Sequence, residues 1–188
     1  MSMREHPKRR HLFSASVLAS MALAQGNVAS AAESATGPSL GHALTPQQAQ
    51  RQALNVFPDG RGLPPGRGTA IEGRTLFQQK CAGCHGDAGR GASAEELAGG
   101  KAPLTSASPD KTIGLYWPYA TTIFDFTRRA MPLNAPGSLT SDEVYALTAY
   151  LLFENRVIGE REEMNPITLP RVRMPNRDGF IGVDAKAR

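Results

Sequence analysis

Two segments of the chain begin with a helix-start signal and continue with apolar residues at helical spacing. Thr69 stands three residues before Glu72, and Thr140 stands three residues before Glu143. In this capping-box pattern each side chain bonds a backbone N–H of the other residue, so both segments are expected to open helices. The stripe continues through Gly73, Phe77 and Cys81 in the first helix and through Val144, Leu147, Tyr150 and Leu151 in the second.

A third helix is predicted between these two, within "WPYATTIFDFTRRAMP" (residues 117–132). Pro118 suits the first turn of a helix, and Pro132 must end one because it lacks a backbone N–H. Residues 95–111 are rich in turn formers and are expected to be mostly loop. No alternating apolar and polar pattern predicts a strand, so the expected fold class is all-α.

The first thirty residues have the composition of an export signal. Four basic residues precede an apolar run at residues 12–24, and Ala29-Ser30-Ala31 fits a cleavage site. The apolar run is short for a bilayer span, and no later stretch is better suited to one. We therefore expect residues 1–31 to be a cleaved signal peptide and the remainder to be a periplasmic protein with no membrane span.

The remainder divides into three parts by composition. Residues 32–68 are rich in Pro, Gly, Ala and Ser, which is typical of an extended arm on the domain or of a disordered leader. Order is expected to begin at Thr69, with a domain at residues 69–160 and a proline-punctuated, extended tail at 161–188. Of the 21 basic and 17 acidic residues, four and one lie in residues 1–31, which leaves 17 against 16. This near-neutral charge gives no reason to expect a nucleic-acid partner.

Both cysteines of the chain lie in "CAGCH", with Cys81 and Cys84 three residues apart and His85 directly after them. A disulfide at this spacing is typical of a thioredoxin-like fold, and no βαβ pattern surrounds it here. Zinc requires about four ligands, and beyond the signal peptide only the distant His42 would complete the set. Covalent haem needs only two thiols that face the same way and an imidazole beside them. We therefore predict one haem c bound through Cys81 and Cys84 with His85 on the iron; a disulfide and a chance match are the alternatives.

At these residues the chain resembles class I cytochrome c. The resemblance implies a fold wrapped around one haem, in which the first helix, with Gly73 and Phe77, crosses the last helix beside Tyr150. It also implies that Pro103, in "KAPL", supplies the carbonyl that accepts a hydrogen bond from His85 and so supports the ligand from behind.

The second axial ligand has four candidates, namely Met131, Met164, Met174 and His42. A methionine more often fills a core. Met131, however, ends a predicted helix, and Pro132 favours an extended backbone that can turn the thioether inward. The stretch from Met131 onward also resembles the class I pattern in which the ligand Met-Pro precedes the last helix. Met131 is therefore the predicted ligand and Met174 the runner-up, and an iron with both axial positions filled passes electrons and performs no bond chemistry.

Three longer stretches are similar to a narrower family, the SoxD-type cytochrome subunit of sulfane dehydrogenase. They are "FPDGRGLPPGRGTAIEG", "GLYWPYATTIFDFTRRAMPLNAP" and "LPRVRMPNRDGFI", within about residues 55–181. The resemblance implies that a molybdenum-cofactor (SoxC-type) subunit oxidises a sulfane sulfur on a carrier-protein cysteine, or a sulfite. The cytochrome would accept the electrons and pass them to a downstream cytochrome or oxidase. Some members carry two haem domains, whereas this chain has one C-x-x-C-H motif.

Two other functions fit the same residues. One is a free diffusible cytochrome that serves a terminal oxidase, and the other is an enzyme with an open iron site, such as a peroxidase. The aromatic residues of the second stretch, Trp117, Tyr119, Phe124 and Phe126, are expected to pack in the core rather than to wall the haem or face a partner.

Overall fold

The structure is a computed structural model that describes residues 41–52 and 54–181. The chain divides into two units, Met1–Ala43 and Leu44–Arg188, and the second is described here. The predicted signal peptide lies outside the described residues. The six α-helices of this part are α1 (Pro46–Gln52), α2 (Ala70–Lys80), α3 (Ala82–His85), α4 (Ile113–Tyr116), α5 (Ala120–Ala130) and α6 (Ser141–Glu154), with short 3-10 turns at Asp87–Gly89 and Leu169–Arg171.

Both helix-start signals predicted from the sequence are confirmed. Thr69 and Glu72 form a complete capping box at the start of α2, and Thr140 and Glu143 form one at the start of α6. α5 begins at Ala120, two residues after the expected Pro118, and ends before Pro132 as predicted. Residues 95–111 contain no helix or strand, which confirms the expected loop.

The centre of the fold is the crossing of α2 and α6. Gly73 faces the backbone of α6 so closely that a Cβ built on it would lie 2.0 Å from the carbonyl oxygen of Ala146. One turn further along α2, the ring of Phe77 packs on that of Tyr150, with centroids 5.2 Å apart. The absence of a side chain at Gly73 therefore lets the two helices cross in contact and bury both rings, which are at most 2% exposed.

α5 packs on the other side of α6. Phe124 is fully buried, and its ring lies 4.5 Å from the ring of Tyr145, centroid to centroid. Ile123 on the same helix is also buried in this cluster. The position of α5 is thus fixed by an apolar contact with α6.

Residues 54–68 lie across these helices as an arm. The hydroxyl of Tyr145 donates to the carbonyl of Pro64 at 2.9 Å, and the Arg67 N–H donates to Asp142 at 2.8 Å. Asp125 of α5 accepts the N–H of Val56 at 3.0 Å. Through these hydrogen bonds the arm lies on the helices, which is the first of the two arrangements expected for this segment.

The C-terminal tail also packs on the domain through buried side chains. Gly68 and Met164 pair as an isolated antiparallel bridge, with N–H to O distances of 3.0 and 2.8 Å. Leu169 and Met174 are buried in the main core. Asn176 donates from its amide to the Tyr116 carbonyl at 2.7 Å, which fixes the tail to α4. No helix in the described part of the chain has the length and apolar character to cross a membrane.

Candidate haem site

A cavity of about 580 Å³ opens between the end of α2, the loop after α3 and the end of α5. This volume falls within the range of about 300–1,000 Å³ that is common for cofactor sites. Its inner wall is apolar and formed by Phe77, Leu97, Leu147 and Leu151. The three residues of the "CAGCH" motif predicted to hold a haem, together with Met131, line the same cavity. The structure therefore brings together four of the site residues predicted from the sequence.

The two cysteines lie at the junction of α2 and α3. Cys81 caps the end of α2, and its carbonyl accepts the N–H groups of Cys84 and His85 at 3.1 and 3.0 Å. This single turn of helix explains why the three side chains reach one cavity. The thiols are not joined as a disulfide, and Cys84 is exposed while Cys81 is half-buried. Before a haem is attached, burial raises the pKa of the Cys81 thiol to about 11.

The imidazole of His85 is held from behind by a backbone carbonyl. Its Nδ1 lies 3.2 Å from the carbonyl oxygen of Glu95. A carbonyl can only accept, so Nδ1 carries the proton and Nε2 keeps the lone pair that a metal would use. The prediction that Pro103 supplies this carbonyl is wrong. The Pro103 carbonyl instead accepts the N–H of Ser106 at 2.9 Å, within a turn of the same loop.

The loop that carries Glu95 folds back tightly over α3. Ala94 donates its N–H to the Cys84 carbonyl at 2.9 Å, and Gly91 donates to the His85 carbonyl at 2.8 Å. Gly86 makes the reversal possible, since it has a φ of +73° and a Cβ there would lie 2.4 Å from the oxygen of Gly91. Because these bonds hold Gly91 and Ala94 against α3, the Glu95 carbonyl reaches His85 before the chain arrives at Pro103.

Met131 approaches the cavity from the α5 side. It is the C-cap of α5, with φ −119° and ψ 151°, the extended conformation that Pro132 was predicted to favour. Its N–H still donates to the Thr127 carbonyl at 3.1 Å, so the residue remains tied to the helix. Met164 and Met174 are both in the core, 2% and 1% exposed, and neither lines the cavity. Met131, the predicted ligand, therefore lines the cavity, whereas the runner-up Met174 does not.

The aromatic residues of the second stretch lie outside this cavity. Phe124 is buried in the core, as expected, whereas Phe126 is 47% exposed. Trp117 packs edge-on against Phe126, with ring centroids 6.2 Å apart. None of the four aromatic side chains is among the cavity-lining residues of the described part of the chain. His42 is exposed and lies in the part of the chain before Leu44.

The residues around the cavity fit a haem. Two thiols, a thioether and an imidazole whose Nδ1 contacts a carbonyl line the cavity, and buried apolar side chains form its inner wall. The fold and this donor set define a class I cytochrome c.

The comparisons with known proteins agree with that class. The family model "Cytochrome c" matches residues 70–153. The chain belongs to the cytochrome c family, whose members bind haem c covalently, and it is an electron-transfer protein.

Among solved structures, the chain is similar to one in the crystal structure of the sulfane dehydrogenase SoxCD from Paracoccus pantotrophus, with 39% sequence identity and a TM-score of 0.73. The match covers 79% of this chain and 73% of that chain, which confirms the resemblance to a SoxD-type cytochrome. No curated protein matched the sequence.

Proposed function

We propose that this chain is the electron-accepting cytochrome subunit of a periplasmic, molybdenum-dependent sulfane or sulfite dehydrogenase. In this proposal Cys81 and Cys84 hold one haem c by thioether bonds, and His85 and Met131 are the axial ligands of its iron. When bound, the haem supplies a centre that takes up and releases one electron at a time. A molybdenum-cofactor subunit delivers electrons to it, and a downstream cytochrome or oxidase removes them.

The observation that carries the proposal is the extent of the match to the SoxCD structure. The cytochrome c family model covers only residues 70–153, whereas the SoxCD match covers 79% of the chain. The similarity therefore includes much of the arm and tail that flank the cytochrome domain. A free cytochrome carrier shares the haem domain alone, so similarity in the flanking segments favours the role of a subunit.

The chain's own residues prepare the cavity for electron transfer rather than for catalysis. His85 presents Nε2 because Glu95 holds its Nδ1 proton, and Met131 presents a thioether, which is a weak donor that favours reduced iron. The buried wall of Phe77, Leu147 and Leu151 excludes water from one side of the site. Two protein ligands leave no axial position for a substrate, so the reaction on sulfur belongs to the partner subunit.

The test is purification of the protein from the periplasm of its native cell under mild conditions. We expect a molybdenum-containing protein to co-elute, and the haem absorption to change to the reduced spectrum when the complex oxidises a carrier-bound sulfane or sulfite. The N-terminus of the purified chain should lie close to Ala31. A monomer without molybdenum, or a haem that stays oxidised throughout turnover, would refute the proposal, and the first result would favour a diffusible carrier.

A further inference from the structure

Asn155 directly follows α6 and is hydrogen-bonded to three different parts of the fold. Its amide nitrogen donates to the carbonyl of Leu151, 2.8 Å away in the last turn of α6, and to the carbonyl of Leu97 at 3.1 Å. Its amide oxygen accepts the N–H of Gly114 at 2.9 Å. One side chain therefore joins the end of α6, the start of α4 and the loop that follows α3.

The contact between Asn155 and α4 is close enough to require a glycine. A Cβ at Gly114 would lie 2.8 Å from the amide oxygen of Asn155 and 3.0 Å from its Cβ. Asn155 is half-buried, and its side-chain amide contacts backbone groups on both sides. Since its donor and its acceptor are both used, the amide has one orientation that satisfies the site.

Leu97 connects this amide to the haem site. Its carbonyl accepts both Asn155 and the N–H of Ile113, the latter at 3.0 Å, while its own N–H donates to the Gly89 carbonyl at 2.8 Å. Glu95, whose carbonyl holds the Nδ1 proton of His85, lies only two residues earlier in the same loop. A displacement of Leu97 would therefore move the carbonyl that sets the direction of the imidazole.

We propose that Asn155 is a positioning residue for His85, and that it acts through Leu97 and the Glu95 carbonyl without touching the haem. The inference rests on the proposed role of His85 as an iron ligand. The hydrogen bond behind a ligating histidine fixes the plane of its ring and raises the basicity of the other nitrogen. Asn155 thus couples the end of α6 to the ligand strength of His85.

The experiment compares two asparagines that each donate an amide hydrogen bond to a backbone carbonyl. Asn155→Ala removes the bond to the loop, and Asn176→Ala removes the bond from the tail to the Tyr116 carbonyl. In the oxidised haem protein we expect Asn155→Ala to change the pattern of the haem-methyl NMR shifts, which reports the plane of the axial imidazole. We also expect the reduction potential to rise, because a less basic histidine stabilises oxidised iron less. Asn176→Ala should leave both readouts as in the wild type, even where its stability falls.

Unchanged methyl shifts and an unchanged potential in folded Asn155→Ala would overturn the inference. If Asn155→Ala does not fold, the haem-methyl shifts of Asn155→Asp test the inference instead. This variant keeps the side-chain oxygen that accepts the N–H of Gly114 and loses the N–H that donates to the Leu97 carbonyl. If neither Asn155 variant yields a haem-bearing protein while Asn176→Ala folds, Asn155 is a purely structural residue. That result would also overturn the inference. The wild-type spectrum separates this from the underlying proposal: absence of a His/Met signature there means that the ligation itself is wrong.

Discussion

Gly73 is the position where a single methyl group should disturb the whole fold. A Cβ there would lie 2.0 Å from the oxygen and 2.6 Å from the carbon of the Ala146 carbonyl, and 2.7 Å from the Cβ of Tyr150. Non-bonded carbon atoms prefer about 3.5–4.0 Å, so α2 and α6 would have to separate by on the order of 1 Å. The atoms in the way belong to backbone and to a Cβ, neither of which can turn aside.

The expected cost follows from two opposing effects. Overpacking a close helix contact costs about 1–3 kcal/mol, and the upper end applies because backbone has to move. Alanine is the better helix former by up to about 1 kcal/mol, which offsets part of this. We therefore expect Gly73→Ala to lower the free energy of unfolding by about 2 kcal/mol, or roughly 4–8 °C in melting temperature for a chain of this size.

The assay is guanidinium unfolding of the haem protein, followed by far-UV circular dichroism and by the haem absorption. Thr75→Ala is the control, because Thr75 lies on the exposed side of the same helix and does not line the haem cavity. The control should be at least as stable as the wild type. The packing argument fails if Gly73→Ala unfolds at the same denaturant concentration as Thr75→Ala with the same denaturant dependence.

Three further predictions concern single side chains. Met131→Leu should abolish the weak charge-transfer band between methionine and oxidised iron, and Met174→Leu should keep it; the opposite pattern in visible spectra would reassign the ligand. The hydrogen bond from Lys80 and the Thr140 backbone lower the pKa of Glu143 below its ordinary 4.5, so its contribution to stability is present above 4.5 and is lost as the pH falls through the lowered pKa. Glu143→Gln should therefore be less stable than the wild type at neutral pH, with a difference that shrinks on acid titration of the unfolding midpoint; a difference independent of pH would contradict this. Asp125→Ala should release the arm at Val56, cost about 1.5–3 kcal/mol and speed proteolysis close to Val56, whereas unchanged cleavage would show that the other hydrogen bonds of the arm hold it without Asp125.

The parts of the fold that the sequence predicts well depend on neighbouring residues. Both capping boxes could be recognised because Thr and Glu three residues apart satisfy each other locally. The extended backbone of Met131 could be predicted for a similar reason, since the following proline acts directly on it. Local rules of this kind fix where helices begin and end, and they place the thiols and the imidazole of "CAGCH" together.

The parts that the sequence did not predict depend on how loops close in three dimensions. Pro103 matched a family position by spacing, but the hydrogen bonds of Gly91 and Ala94 turn the loop back early and bring the Glu95 carbonyl to His85. Every residue has a backbone carbonyl, so the sequence does not indicate which carbonyl will contact His85. Asn155 was missed for a related reason, because an asparagine after a helix usually indicates only its end.

α5 links the haem site to the segments that set this chain apart from a bare cytochrome domain. At its C-terminal end Thr127 and Met131 line the cavity, whereas Asp125, on the same helix, binds the arm at Val56. The tail joins the arm as well, since a Cβ at Gly60 would lie 2.5 Å from the ring of Pro170. The three distinctive stretches are far apart in sequence, yet they contact one another around this helix. A partner that moved the arm or the tail would therefore act one helix away from Met131, the proposed iron ligand.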